Sequence, residues 1–228
     1  MMKHDVDLTD ASIFPHYAQR RPVRPIGGLR KRVFDVVGSL VLLVLFSPLF
    51  LLIAIAVKLD DRGPVLFGHQ RIGHNGRSFR CLKFRTMVTD SNARLAAYLA
   101  ENPAALAEWA TTRKLRHDIR VTTTGKVLRK LSLDELPQLL NVLRGDMSLV
   151  GPRPIMGEEM ALYGDRGTHY LRSRPGLTGK WQVSGRSDTT YEERIQLDSQ
   201  YVEHWSFVGD IWIILKTVPV VLLARGAC

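Results

Sequence analysis

The pattern of apolar and polar positions changes character several times along this chain. From Val36 to Val57 run 22 residues without a charge, V-V-G-S-L-V-L-L-V-L-F-S-P-L-F-L-L-I-A-I-A-V. A soluble core element rarely needs so long an apolar run, whereas about 20 residues of helix match the hydrocarbon thickness of a bilayer. At its middle stands Ser47-Pro48. Proline removes a helix hydrogen bond and clashes with the carbonyl four residues back, so a sharp kink is predicted there. Arg20, Arg21, Arg24, Arg30, Lys31 and Arg32 precede the run, and Lys58, Arg62, Arg71 and Arg77 follow it. Both flanks therefore ask for the cytoplasmic side. A kinked helix that dips in and returns satisfies both; a spanning helix with a tolerated proline is the alternative. Residue physics leaves these two open. A cleavable signal peptide is excluded by Asp5, Asp7 and Asp10 ahead of the run, by its late start and by the lack of a small-x-small cleavage site.

Elsewhere the periods are shorter. Residues 1–29 hold Pro15, Pro22, Pro25, Gly27 and Gly28 with little apolar periodicity and read as a cytoplasmic tail. Pro64 to Phe67 and Phe79 to Phe84 are strand-like runs about the turn-rich G-H-N-G at Gly73 to Gly76. Ala93 to Leu115 predicts two helices, or one broken near Pro103. Leu133, Leu136, Leu139, Leu140 and Leu143 have helical spacing. The run Ile211 to Ala224 is too short to span, with Lys216 and Pro219 inside it. It suits an interfacial helix flanked by Trp205, Phe207 and Trp212, or a buried terminal helix. The chain thus divides into a tail at 1–29, a membrane helix at 30–60 and a cytoplasmic domain at 61–228.

Composition narrows the partners. The 228 residues carry 32 Lys+Arg against 22 Asp+Glu, a formal charge of +10. That favours nucleic acid, acidic lipid or phosphorylated small molecules. Two cysteines, Cys81 and Cys228, make no disulfide scaffold, which removes small extracellular folds. Cys81 lies in a strand-like run and is expected buried and inert.

Chemistry concentrates between Leu128 and Pro154. Asp134 and Glu135 adjoin at the start of the leucine-periodic helix; with Asp134 as N-cap, Pro137 falls at the third helical position, where no donor is lost. An ordinary explanation exists, since Asp caps helices and Glu in a first turn complements the dipole. The company of Arg129, Lys130, Arg144 and Arg153 argues for more, because a helix amino terminus and guanidinium groups both gather phosphate. Carboxylates and phosphates coexist through a divalent cation. Mg2+ commonly takes only one or two protein carboxylates and completes its shell with phosphate and water. Beside arginines Asp134 is expected to stay ionised and able to attack phosphorus, with Glu135 on the metal; physics permits the reverse assignment too.

The segment R-P-G-L-T-G-K-W-Q-V-S-G-R, Arg174 to Arg186, is a second candidate. It would cradle a nucleotide, with Gln182 reading the base edge and Arg186 contacting phosphate; a pair of structural turns is the alternative. Asp5-Val6-Asp7 mimics a metal motif by chance. His69, His74, His117 and His169 have no metal-ligand spacing and read as surface or hydrogen-bonding residues.

Four motifs together resemble a known family. Lys83-Phe84-Arg85-Thr86-Met87, L-S-L-D-E-L-P-Q around Asp134 and Glu135, V-G-P-R-P at Val150 to Pro154, and the Arg174 to Arg186 segment look like the bacterial sugar transferases, monotopic phosphoglycosyl transferases acting on polyprenyl phosphate. The likeness runs from about Arg30 to the carboxyl end. It is nearest to short exopolysaccharide-initiating undecaprenyl-phosphate galactose or glucose phosphotransferases, without the extra transmembrane helices of longer members. The resemblance implies an α+β, mostly helical fold, with a re-entrant helix-break-helix kinked at Ser47 and Pro48 and amphipathic helices on the cytoplasmic leaflet of the bacterial inner membrane. It implies that Asp134 attacks the sugar-bearing phosphorus of a UDP-sugar, releasing UMP, before undecaprenyl phosphate takes the phosphosugar. By the same likeness Glu135 ligates Mg2+, and Arg129 and Arg153 handle phosphate, with Lys83 a third. One departure is visible: the family's Asp-Pro-Arg is here Asp118-Ile119-Arg120. A homodimer is left open. The rival readings are a nucleic-acid module, for which no motif appears, and a non-catalytic basic membrane adaptor of a polysaccharide assembly complex, which leaves the acidic pair unexplained.

Overall fold

The computed structural model describes residues 23–112, 115–185 and 189–222. The chain is α+β and mostly helical. Two helices open it, α1 (Gly28–Leu45) and α2 (Ser47–Asp60). A hairpin of β1 (Leu66–Ile72) and β2 (Ser78–Phe84) follows, then helices α3 (Ser91–Glu101), α4 (Pro103–Thr112), α5 (Thr123–Lys130) and α6 (Gln138–Arg144). After β3 (Ser148–Val150) come α7 (Met160–Tyr163), α8 (Gly167–Leu171) and β4 (Gly176–Thr178), and the last elements are α9 (Tyr191–Glu203) and α10 (Phe207–Leu222).

The predicted kink falls where the sequence places it. α1 and α2 meet at 64°, with Phe46 between them. Pro48 has no N–H to offer Val44, and the Ser47 hydroxyl donates to that carbonyl instead at 2.8 Å. Among the described residues no single helix is long and apolar enough to cross a membrane; the bent pair is, by length and composition, the one candidate.

What the apolar run conceals is a polar stripe. Lys31, Asp35 and Ser39 recur every four residues on α1 and are all buried, while Val33, Val37, Leu40, Val41 and Val44 are exposed. This helix is inside-out by the standards of a water-soluble domain. Lys31 Nζ donates to Asp210 of α10 at 2.6 Å, and Asp210 also accepts from the Tyr201 hydroxyl at 2.8 Å and Trp205 Nε1 at 3.1 Å. Asp35 accepts from Ser148 Oγ at 2.9 Å and from the Leu149 N–H at 3.0 Å. Arg32 donates to the carbonyls of Val142 and Leu143 at the carboxyl end of α6. α10 starts earlier than the apolar run suggested because Asp210 belongs to this network. It buries Ile213 and leaves Val208, Trp212, Leu215 and Val218 exposed, so it is packed on one face and apolar on the other.

Three buried clusters hold the rest. Phe79, Leu139, Val142, Met147, Val150, Tyr201 and Ile213 form the central core. A second unites Ile72, Ile155, Met160 and Tyr170, and a third packs Ile53 and Val57 of α2 on Phe84 and Leu128. The hairpin pairs Leu66 with Phe84 through Ile72 with Ser78 and turns at Asn75, whose φ of 56° lies in the left-handed region. β3 and β4 run parallel with Val150 opposite Thr178. A Cβ on Gly176 would lie 2.1 Å from Gly151 N, so the V-G-P-R-P and R-P-G-L-T-G motifs meet backbone to backbone.

The expected α-helix over Leu133 to Leu143 is a correction. Leu133–Glu135 form a 3-10 turn, and α6 starts only at Gln138 with Pro137 as its N-cap. Lacking an N–H for the Leu133 carbonyl, Pro137 leaves the turn to close by Leu136 N donating to Leu133 at 3.3 Å. Asp134 is therefore not the N-cap of an α-helix.

Removing one partner of a buried ion pair strands the other charge, at a cost of about 3–5 kcal/mol. Lys31→Ala is expected to lower the thermal midpoint in detergent sharply, whereas Arg94→Ala, which breaks an exposed pair with Asp90, leaves it nearly unchanged. Comparable midpoints for the two variants would mean that the α1 stripe does not carry the packing.

Candidate active site

β2 and the turn before α6 face each other across a cavity of about 810 Å³. The size suits a nucleotide-like ligand. Lys83, from the carboxyl end of β2, reaches Glu135 Oε1 at 2.7 Å and Asp134 Oδ2 at 3.5 Å. Arg153, just past β3, donates to the same Glu135 oxygen at 3.3 Å. Arg129 of α5 donates through Nε to the Thr86 hydroxyl at 2.9 Å. Lys83, Arg129, Asp134, Glu135, Arg153 and Gln182 all line this cavity. Arg186 lies outside the described residues.

The two adjacent carboxylates are treated differently by their surroundings. Burial pushes the Asp134 carboxyl above its ordinary range, Lys83 and Arg129 pull it down, and the charge of Glu135 adds to the rise. The expectation that Asp134 is simply kept ionised by arginines omitted this desolvation. Burial pushes Glu135 up as well, but Arg153 and Lys83 outweigh it and hold that carboxyl at about 2. One acid is thus a firm anion beside a cation shared with its neighbour.

A cation already bridges the pair, the Lys83 ammonium. Among the described residues no group of three or more His, Cys, Asp or Glu is gathered. Two carboxylates beside an open cavity do fit Mg2+, which leaves most of its shell to phosphate and water.

Several basic residues differ from the sequence reading. Lys130 and Arg144 are exposed and line no part of the cavity; Arg144 sits at the far end of α6. Arg71 and Arg85 take their place. Arg71 ion-pairs with Glu159 at 3.4 Å, and Arg85 donates to the Asp61 carboxylate at 3.0 Å and to the Asp61 carbonyl. The alternation of β1 could have revealed Phe67, His69 and Arg71, which all line the cavity at period two. Gln182 is buried at the cavity wall with its amide nitrogen 3.5 Å from the Leu177 carbonyl. Arg120 is outside the cavity. Its guanidinium grips Asp118 at 2.6 and 2.7 Å and lies 5.0 Å over Trp109, so side chains tie this loop without the proline. Cys81 is buried, and burial pushes its thiol up to about 11, as an inert cysteine requires. His69, read as a surface or hydrogen-bonding residue, lines the cavity.

The sequence model of the bacterial sugar transferase family matches residues 26–224. The exopolysaccharide production protein ExoY of Rhizobium meliloti (strain 1021) is 58% identical over 205 residues, 90% of this chain and 91% of that protein. The undecaprenyl-phosphate galactose phosphotransferase of Salmonella typhimurium is 50% identical over 197 residues, 86% of this chain and 41% of that longer protein. The UDP-glucose:undecaprenyl-phosphate glucose-1-phosphate transferase of Caulobacter vibrioides is 44% identical over 207 residues, 87% of this chain and 72% of its own length.

The two acids should respond oppositely to neutralisation. Glu135, depressed to about 2, contributes stability fully present above its unfolded value of about 4.3 and lost as pH falls toward 2. Asp134, raised, destabilises the fold once ionised, and increasingly as pH rises past its ordinary range. At about pH 7, Glu135→Gln is expected to lower the thermal midpoint by about 5 °C, while Asp134→Asn holds or raises it. Scanning fluorimetry in detergent checks both signs, and shifts in one direction for both would refute the division.

Proposed function

The chain belongs to the bacterial sugar transferase family, and on that premise we propose that it moves a hexose-1-phosphate from a UDP-sugar to undecaprenyl phosphate at the cytoplasmic leaflet of the inner membrane, beginning exopolysaccharide synthesis. It is a phosphoglycosyl transferase. The observation that carries the finer reading is the pairing of Asp134 and Glu135 about one ammonium, at an open cavity rimmed by Arg71, Arg129 and Arg153. Galactose and glucose both appear in the relatives' names, so the hexose is left at that class.

In the proposed reaction an Asp134 carboxylate oxygen attacks the sugar-bearing phosphorus. The bond from that phosphorus to the bridging oxygen breaks and UMP leaves with the electron pair. An oxygen of undecaprenyl phosphate then attacks the same phosphorus, the bond to Asp134 breaks, and the aspartate is returned as carboxylate. Such transfers depend chiefly on positioning and charge neutralisation. Arg129 and Arg153 are suited to hold phosphate oxygens in place. Lys83, touching both acids, orders them and offsets their mutual repulsion. Glu135, firmly anionic, would hold Mg2+ with Asp134 beside it; when bound, the ion supplies charge neutralisation on the diphosphate.

The two substrates differ in solubility, and the anchoring follows from that. Undecaprenyl phosphate keeps its phosphate at headgroup depth, so the acids must sit there as well. The outward apolar faces of α1, α2 and α10 support a shallow re-entrant anchor: Leu40, Val44, Leu51, Leu52, Leu215 and Val218 are exposed although they are the residues water least tolerates. Basic residues at both ends favour the anionic cytoplasmic leaflet.

Purified protein given Mg2+, UDP-galactose or UDP-glucose and polyprenyl phosphate is expected to release UMP. Asp134→Asn should abolish both release and covalent phosphosugar labelling, while Glu135→Gln should raise the Mg2+ required; labelling that persists in Asp134→Asn would move the nucleophile elsewhere. A basic adaptor without activity would release no UMP under any condition. Tags fused before Met1 and after Cys228 should both report cytoplasm, and tags on opposite sides would rule out re-entry.

A further inference from the structure

The cavity carries an aromatic wall that the chemistry above does not use. β1 alternates, so Phe67, His69 and Arg71 face the cavity while Leu66, 39% exposed, is not among its lining. Phe67 is 48% exposed, and its ring lies near-parallel to that of His69, at 30° and 6.1 Å between centroids. This phenyl ring is left half open in a cavity whose lining mixes arginine, lysine, threonine and acids with Pro64, Phe84, Met87, Val88 and Trp181. Register places it further. Phe67 is the cross-strand partner of Lys83, so the two side chains leave the same face of the hairpin side by side, and Lys83 touches both acids.

We propose that Phe67, with His69 stacked beside it, is the platform on which the transferred hexose lies, and that it determines which hexose is accepted. This inference rests on the functional reading above. Hexoses present an apolar C–H face and a rim of hydroxyls, and a flat aromatic ring bordered by polar groups matches that shape. The hexose is joined directly to the phosphorus that the acids engage, whereas the nucleoside is one phosphate further away. The wall flanking Lys83 is therefore the sugar's wall. Of the other aromatic rings in the cavity's lining, Phe84 is buried and packs against Phe50 at 5.4 Å between centroids, and Trp181 already has the Arg153 and Arg194 guanidiniums over its ring at 5.8 and 4.9 Å. Leu59 and Leu66 are exposed but outside the cavity's lining.

The test compares wild type, Phe67→Leu and Phe67→Trp for UMP release from UDP-galactose and UDP-glucose at fixed polyprenyl phosphate, with UMP as competing inhibitor. Phe67→Leu is expected to lose about tenfold in kcat/KM for the better UDP-hexose and to shift the galactose-to-glucose preference. UMP inhibition and the KM for lipid should hold within about twofold, and Phe67→Trp, which keeps a flat ring, should recover most of the activity. Unchanged preference and rate in Phe67→Leu would overturn the platform. So would a parallel weakening of UMP inhibition, which would assign the ring to the base, or a rise confined to the lipid KM, which would assign it to the prenyl chain. If wild type itself releases no UMP from either sugar, it is the functional reading that fails.

Discussion

An apolar helix pair exposed on its outer faces can be held to a folded domain only by what it buries; α2 buries the apolar Ile53 and Val57, whereas the fully buried residues of α1 are ionic and polar. Lys31 lies against Asp210, and Asp35 against Ser148 and the Leu149 N–H, with the lysine and both aspartates almost wholly removed from water. Such a pair gains little over a well-packed apolar one but is costly to break on one side. It gives α1 one rotational setting, because turning the helix would expose its hydrocarbon to the core and strand three polar groups. The outward surface of α1 is consequently fixed relative to β3, and through β3 to Arg153.

A second tie runs from the end of α2 to the acids through four consecutive residues. Lys83 meets Asp134 and Glu135; Phe84 packs beneath Ile53 and Val57; Arg85 grips Asp61; Thr86 accepts from Arg129. Each residue of this stretch serves a different neighbour, which is why it reads as a compact motif and not as an ordinary alternating strand. The depth of the helix pair and the position of the acids are set by one short segment. A transferase whose lipid substrate lies at a fixed depth requires a connection of that kind.

Electrostatics separates the adjacent acids without separating them in sequence. Arg153 and Lys83 both lie on Glu135, at 3.3 and 2.7 Å, while Asp134 has the ammonium only at 3.5 Å. Desolvation raises both acids; at Glu135 the two cations outweigh it, and at Asp134 they do not. Fixed roles for the two can follow from this difference alone.

The sequence by itself determined the apolar run, its break at Ser47-Pro48, the hairpin about Asn75, the helix pair broken near Pro103 and the motifs that carry the acids and most of the cavity's cations, because each is a local pattern of spacing and residue type. It did not reveal the Lys31, Asp35 and Ser39 stripe, whose meaning depends on Asp210 and Ser148, more than one hundred residues away. Nor did it separate Arg71 and Arg85, which line the cavity, from Lys130 and Arg144, which do not. Nearness in sequence suggested the second pair, and strand pairing selected the first. The turn at Leu133–Glu135 went to Pro137, whose missing N–H outweighed the leucine period. Which carboxylate is the firm anion was decided only by the tertiary structure, since burial and the approach of two cations from distant segments are properties of the packed molecule.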